Sequence, residues 1–198
     1  MKKDFNKFVK NYLQNLEDVF NEENISTIYE LAKELKDCWQ AGRSVYICGN
    51  GGSAGNAMHI ANDFHYGVGC NNHFPRKKGI KFNALPSNPS IITCLANDIG
   101  YENIYSNQLN VHGNPDDILI VLSGSGNSQN IINALIEGNS LGMKTFAVLA
   151  FDGGKCIKLA SKSIYFKIND MQIAEDTQLI VFHMCMQWLS NPLNFQNN

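Results

Sequence analysis

The chain has 198 residues, enough for one α/β domain with a substantial core. Sixteen basic against eighteen acidic side chains give a formal net charge of −2, which excludes the broad positive field of a nucleic-acid surface. There is no run of eighteen apolar residues and no lysine-led apolar signal segment, so a soluble cytoplasmic protein with no membrane partner is expected.

In chain order, Phe5, Phe8, Val9, Tyr12, Leu16, Val19 and Phe20 fall on one stripe at helical spacing. The triplet Asn24-Ile25-Ser26 reads as a break. Ile28, Leu31, Ala32, Leu35 and Trp39 then mark a second amphipathic helix, ended by Gly42. Strands are predicted over 44–48, 81–85, 118–122, 145–149 and 163–167, with helices over 54–66, 89–97, 102–111, 128–141 and 173–189. Continuous apolar strands alternating with helices predict a parallel sheet covered on both faces. Gly67–Lys78 reads as a long loop and the Asn-rich end as frayed. Cys38, Cys48, Cys70, Cys94, Cys156 and Cys185 form no CxxC pair, and several sit in apolar runs, as expected of buried free thiols in a reducing compartment.

Two loops at strand ends carry the chemistry. The first strand ends in Gly49-Asn50-Gly51-Gly52-Ser53 and a helix follows, at the carboxyl edge of the sheet where open α/β folds bind ligands. The glycines let a ligand approach the backbone, and the Ser53 hydroxyl is placed to cap the helix. A tight structural turn is the alternative. The strand 118–122 ends in Ser123-Gly124-Ser125-Gly126-Asn127-Ser128, again before a helix. Free N–H groups and the helix dipole favour an anion there. The loop holds no lysine, so it is not a Walker loop. Its hydroxyls suit the phosphate of a phosphorylated sugar, with Ser123, Ser125 and Ser128 as the contacts; a solvated Ser/Gly turn is the bland alternative.

On the helix after Ser53, the apolar residues Ala57, Ile60, Ala61 and Phe64 share one face. His59 and Asp63, four residues apart on the other side, can bind one metal or act as an oriented acid–base pair; a solvated face is the plain alternative.

The order Cys48-Gly49-Asn50-Gly51-Gly52-Ser53, Ala57-Met58-His59, Ala96-Asn97-Asp98-Ile99-Gly100-Tyr101, Ser123-Gly124-Ser125-Gly126-Asn127-Ser128, Asp152-Gly153-Gly154-Lys155 and a late helix with His183 resembles the sugar isomerase (SIS) domain family, and within it the phosphoheptose isomerases. The resemblance implies a single SIS domain over 1–198. A helical pair at 1–42 would serve oligomerisation, and a flavodoxin-like core of five parallel strands between helix layers would span 43–190. It implies interconversion of sedoheptulose 7-phosphate and a heptose 7-phosphate aldose through an enediol, for lipopolysaccharide or capsule heptose. It also implies a homotetramer with sites at subunit interfaces and one zinc ion per subunit.

By the same resemblance, Asn50, Gly51, Gly52, Ser53, Asn97, Asp98, Ser123, Gly124, Ser125, Asn127 and Ser128 would bind substrate. His59, Asp63, Glu175 and His183 would hold the metal, with Asp63, His183 and Glu175 catalytic. Asp98 is equally suited to capping the next turn. Three positions depart from the family. Asp63 stands for a glutamate, a side chain shorter by about 1.5 Å of reach; Glu175 stands for a glutamine and Gly67 for an arginine. Around the last helix Glu175 is about 80° from His183 and Asp176 only about 20°, which keeps Asp176 in play as a ligand. The departures leave two other functions open: an SIS isomerase of another phosphosugar, or a non-catalytic SIS binding protein that associates with the replication initiator.

Overall fold

A computed structural model describes residues 2–68 and 78–191. Cys70, most of the expected 67–78 loop and the last seven residues lie outside this range. The elements are α1 (Lys2–Asp18), α2 (Glu22–Ala41), β1 (Ser44–Gly49), α3 (Gly52–Asn62), β2 (Lys81–Ala84), α4 (Pro89–Ile99), α5 (Ser106–His112), β3 (Ile118–Ser123), α6 (Gln129–Ser140), β4 (Lys144–Leu149), α7 (Cys156–Leu159), β5 (Lys162–Tyr165) and α8 (Met171–Ser190). Single 3₁₀ turns at Leu85–Ser87 and Tyr101–Asn103 precede α4 and α5.

All four strand pairings are parallel, and the order is β2-β1-β3-β4-β5. Successive strand residues face opposite layers, so both faces of the sheet are apolar. On one face Val45, Ile47, Ile118, Ile120 and Val148 pack with Leu31 and Leu35 of α2, Ile60 of α3 and Val181 and Phe182 of α8. On the other, Cys48, Leu119, Val121 and Ala147 pack with Leu109 of α5 and Ile131 and Leu135 of α6. The expected three-layer, flavodoxin-like core is what forms. The chain reverses direction across the sheet between β1 and β3. In this topology that switch point opens a crevice beyond the strand carboxyl ends. Both glycine- and serine-rich loops leave the sheet there.

The break between the first two helices differs from expectation. Asn24-Ile25-Ser26 lies inside the first turns of α2, and the chain turns at 19–21. Asn21 is the N-cap, its side chain accepting from the Asn24 N–H at 2.9 Å. Asn24 is buried because its amide bonds Val19 O and both the N–H and O of Tyr165, tying α2 to the end of β5. A polar residue that looked like punctuation is an interior cross-link. α8 likewise begins two residues earlier than the apolar pattern suggests, where Asp170 accepts from the N–H groups of Gln172 and Ile173.

Candidate active site

The loop after β1 turns at Gly51, with φ 54°, and α3 starts at Gly52. Gly51, not Ser53, occupies the N-cap position, so the expected cap by Ser53 does not form. Ser53 is instead buried, and its hydroxyl accepts from Gln178 Nε2 of α8 at 3.0 Å. Asn56 Nδ2 donates to Gln178 Oε1 and to Glu175 O, so α3 and α8 are stitched side by side.

The loop after β3 is organised by its own hydroxyls. Ser123 Oγ accepts from the Gly126 N–H and Ser125 Oγ from the Asn127 N–H. Each hydroxyl thereby keeps its proton for an incoming oxygen. Ser128 is the N-cap residue of α6, and its side chain makes no cap bond. Gly126 has φ 63°, and a Cβ there would meet Gly153 O at 2.1 Å. That close approach docks Asp152-Gly153-Gly154-Lys155 under the loop, through Cys156 N–H to Gly126 O and Lys155 N–H to Asn127 Oδ1.

The two loops are joined by a pair not anticipated from sequence. Asn50 Nδ2 donates to Asn130 Oδ1 at 2.9 Å, and Asn130 Nδ2 donates back to Asn50 Oδ1 at 2.8 Å. Tyr101 Oη adds a bond to Asn50 Oδ1, and Tyr105 Oη donates to Gly49 O at 2.6 Å. Burial pushes the Tyr105 hydroxyl up, so it stays a donor. The detectable signal was Asn130 itself, an amide on the apolar side of a helix beside Ile131 and Ile132.

Asn50, Gly51, Gly52, Ser53, Ser123, Gly124, Ser125 and Ser128 all line one cavity of about 320 Å³, with Leu122, Met171 and Glu175. Asn127 does not line it; its amide is used within the two-loop assembly. Asn97 and Asp98 are also outside it, exposed at the end of α4, where Asn97 Nδ2 donates to Asp98 Oδ1. Asp98 does not cap the following turn, whose N-cap is Gly100. A larger cavity of about 560 Å³ opens beside β2. The Ser87-Asn88 start of α4 lines it but no expected site residue does, so the smaller cavity at the switch point, lined by both the glycine- and serine-rich loops, is the better site.

Further along the α3–α8 seam, His59, Asp63 and His183 come together. Asp63 Oδ2 lies 3.4 Å from Nε2 of each histidine, and the two Nε2 atoms are 3.2 Å apart. Asp63 opens a π-turn, Asp63–Gly67, which widens the end of α3. The three donors fit a metal. Edges of this length belong to a tetrahedron whose centre lies about 2.0–2.1 Å from each corner, the usual zinc–ligand distance. The expected four-ligand set does not gather, since only these three described residues cluster. The Glu175 carboxylate sits over Gly52 instead, where an added Cβ would stand 2.2 Å from its Oε1. Asp176 is taken by α1: Tyr12 Oη donates to its Oδ2 at 2.5 Å, and this bond is the main reason the Tyr12 hydroxyl is pushed up to about 12. At Gly67, where the family has arginine, a Cβ would press on Met186 Sδ at 3.2 Å.

The model of the SIS domain matches residues 7–150. A phosphoheptose isomerase of Glaesserella parasuis is 36% identical over 177 residues, covering 87% of this chain and 88% of that protein. The chain belongs to the phosphoheptose isomerases of the SIS domain family. It is an isomerase of that family, and its fold follows suit. A phosphoheptose isomerase of Sulfurimonas denitrificans is 31% identical over 185 residues, covering 93% of this chain and 92% of that protein. The structure of a phosphoheptose isomerase from Francisella tularensis superposes with TM-score 0.85 at 25% identity, covering 95% of this chain and 97% of that one.

Proposed function

We propose that the protein interconverts sedoheptulose 7-phosphate and D-glycero-D-manno-heptose 7-phosphate, in the cytoplasm, as a homotetramer with one zinc ion per subunit. One observation carries the reading: a cavity lined by the serine-rich helix start and a His–Asp–His cluster lie along one pair of helices. Met171 lies against Gly124 of the cradle, while His183 is twelve residues further along α8, about 18 Å of helix at 1.5 Å per residue.

In this reading Ser123, Ser125 and Ser128 donate to the phosphate at the start of α6. The sugar chain runs past Gly52 toward the cluster. A bound zinc ion would be held by His59, Asp63 and His183 and would supply Lewis acidity to the sugar's carbonyl and hydroxyl oxygens. His183 polarises the oxygen side, and a carboxylate moves the carbon-bound proton between C1 and C2. The exposed Phe5, Phe8 and Leu13 on α1, a helix with no buried residue, support a role for the N-terminal pair in assembly. Free buried thiols suit a reducing compartment.

The test is proton NMR of sedoheptulose 7-phosphate with the zinc-loaded and the chelated protein. Appearance of the aldose anomeric signal with the loaded protein supports the reading. An unchanged ketose under both conditions refutes it.

A further inference from the structure

Phe151, just past the end of β4, has φ 52°. Among the described residues the one other non-glycine with positive φ is Asp116, which lies before β3 at the amino edge of the sheet. A side chain as bulky as phenylalanine adopts this conformation only where its surroundings hold it. Both backbone groups of Phe151 are held. Its N–H donates to Ile168 O at 3.0 Å, and its carbonyl accepts from Tyr165 Oη at 2.7 Å. The tyrosine ends β5, and its own N–H and carbonyl are pinned by the Asn24 amide at 3.1 and 3.0 Å. Its hydroxyl is therefore aimed from a fixed strand end. The turn it holds lies against the serine cradle. Ala150 N–H donates to Gly124 O at 3.0 Å, and Gly153 N–H returns to Ala150 O at 2.9 Å. A Cβ on Gly124 would stand 3.5 Å from the Phe151 ring, and one on Gly154 would stand 2.5 Å from Ser125 O. Gly124 and Ser125 both line the cavity at the switch point.

Resting on the phosphate site proposed above, we infer that Tyr165 is a positioning residue for phosphate binding: its hydroxyl holds Phe151 in the left-handed conformation, and through that turn it fixes the cradle at Gly124 and Ser125. Tyr165 belongs to neither loop and does not line the cavity. It acts through one hydrogen bond, to the carbonyl of the residue that bears the strain. Without that bond the Phe151 carbonyl is free to turn toward water, and φ relaxes toward the negative range that a Cβ prefers. The peptide after Phe151 then swings, and the turn 150–154 shifts under Gly124 and Ser125. The packing leaves no slack to absorb the shift. Gly126 and Gly154 each lack room for a single Cβ against the opposing loop, so a displacement of the turn passes to the serines.

The test is Tyr165→Phe, which keeps the ring and removes the hydroxyl, made in wild type and in Phe151→Gly. Inorganic phosphate is titrated by phosphorus NMR for Kd, and zinc-loaded protein is assayed with sedoheptulose 7-phosphate for KM and kcat. Tyr165→Phe should raise both Kd and KM by at least about fivefold. Its kcat should stay within about twofold, because the cradle grips the distant phosphate equally in the ground and transition states. In Phe151→Gly the positive φ carries no strain, so adding Tyr165→Phe should change Kd by less than about twofold. A Tyr165→Phe protein with unchanged Kd and KM, whatever its Tm, overturns the inference, because the hydroxyl then serves only the packing of β5. A full fivefold loss on the Phe151→Gly background overturns it too, since the effect would not run through the strained residue. If wild type binds no phosphate, the cradle and this inference fall together. If wild type binds phosphate and converts no phosphoheptose, the proposed reaction falls and the phosphate Kd still decides the role of Tyr165.

Discussion

Replacing Asn130 with alanine tests whether the switch-point loops act as one unit. The side chain is 2% exposed and exchanges two hydrogen bonds with Asn50, at 2.8 and 2.9 Å. In Asn130→Ala the Asn50 Oδ1 keeps the Tyr101 hydroxyl, but Asn50 Nδ2 loses its acceptor. Two bonds worth about 1 kcal/mol each are lost, or equivalently one donor is left unpaired at about 1–3 kcal/mol, so about 2 kcal/mol is expected. For a chain of this size that lowers Tm by about 4–8 °C. The β1 loop would then be held mainly by Tyr105, and a shift of about 1 Å in its glycines should reduce kcat/KM by about 10–100-fold. Asn139→Ala is the control. Its amide also makes two bonds, to Leu159 O and from Thr145 Oγ1, at the far end of α6. It should lower Tm by less, because Asn139 is exposed and water can replace its partners, and keep activity within about twofold, because no cavity residue moves. Thermal melts with NMR turnover decide it. Equal activity losses in both variants, or an Asn130→Ala Tm within 1 °C of wild type, would refute the coupling.

Gly126→Ala places a Cβ 2.1 Å from Gly153 O at φ 63°; it should raise KM for the sugar phosphate by at least about tenfold by displacing the docked loop, and an unchanged KM in steady-state assays would contradict this. Asp63→Asn removes a corner of the His–Asp–His cluster; changes in outer-shell partners alone cost about 10–100-fold in metal affinity, so competition with a chelator should show at least that loss. Cys94 donates to Asp98 Oδ2 at 3.5 Å, a bond that raises the thiol pKa. Removing the carboxylate lowers that pKa and enlarges the thiolate fraction at pH 8. Asp98→Asn should therefore speed iodoacetamide alkylation of Cys94, read by mass spectrometry of its peptide, and a slower rate would reverse the assignment.

The core was legible because its signal is local. Continuous apolar runs such as Ile118–Leu122, set between helical repeats, have only one stable home, a parallel sheet covered on both faces. The glycine and serine loops were legible for the same reason, as each is a contiguous stretch ending a strand. What escaped was pairwise. Asn24 bonds Tyr165 across 141 residues, and Asn130 bonds Asn50 across 80. Nothing in either neighbourhood announces its partner. Ser53 was placed as a cap by its position alone, yet Gln178, 125 residues away, claims its hydroxyl. The placement of Glu175 depends on an absent side chain at Gly52, a constraint that exists only once α3 and α8 lie together.

That placement changes the electrostatics of the site. With Glu175 among the ligands, two carboxylates would neutralise a divalent ion and blunt its pull on substrate oxygens. The three donors that do cluster would hold a divalent ion with one carboxylate among them, which would leave it more charge for substrate oxygens. The shortened Asp63 does not weaken this. Where α3 widens into its π-turn, a single Asp63 oxygen still stands at equal distance from both imidazoles, 3.4 Å from each. The methylene lost at position 63 and the charge gained at position 175 thus fall in different parts of the site. The first keeps one carboxylate tightly on the histidines. The second puts another, with no partner among the described residues, in the cavity of the serine loop.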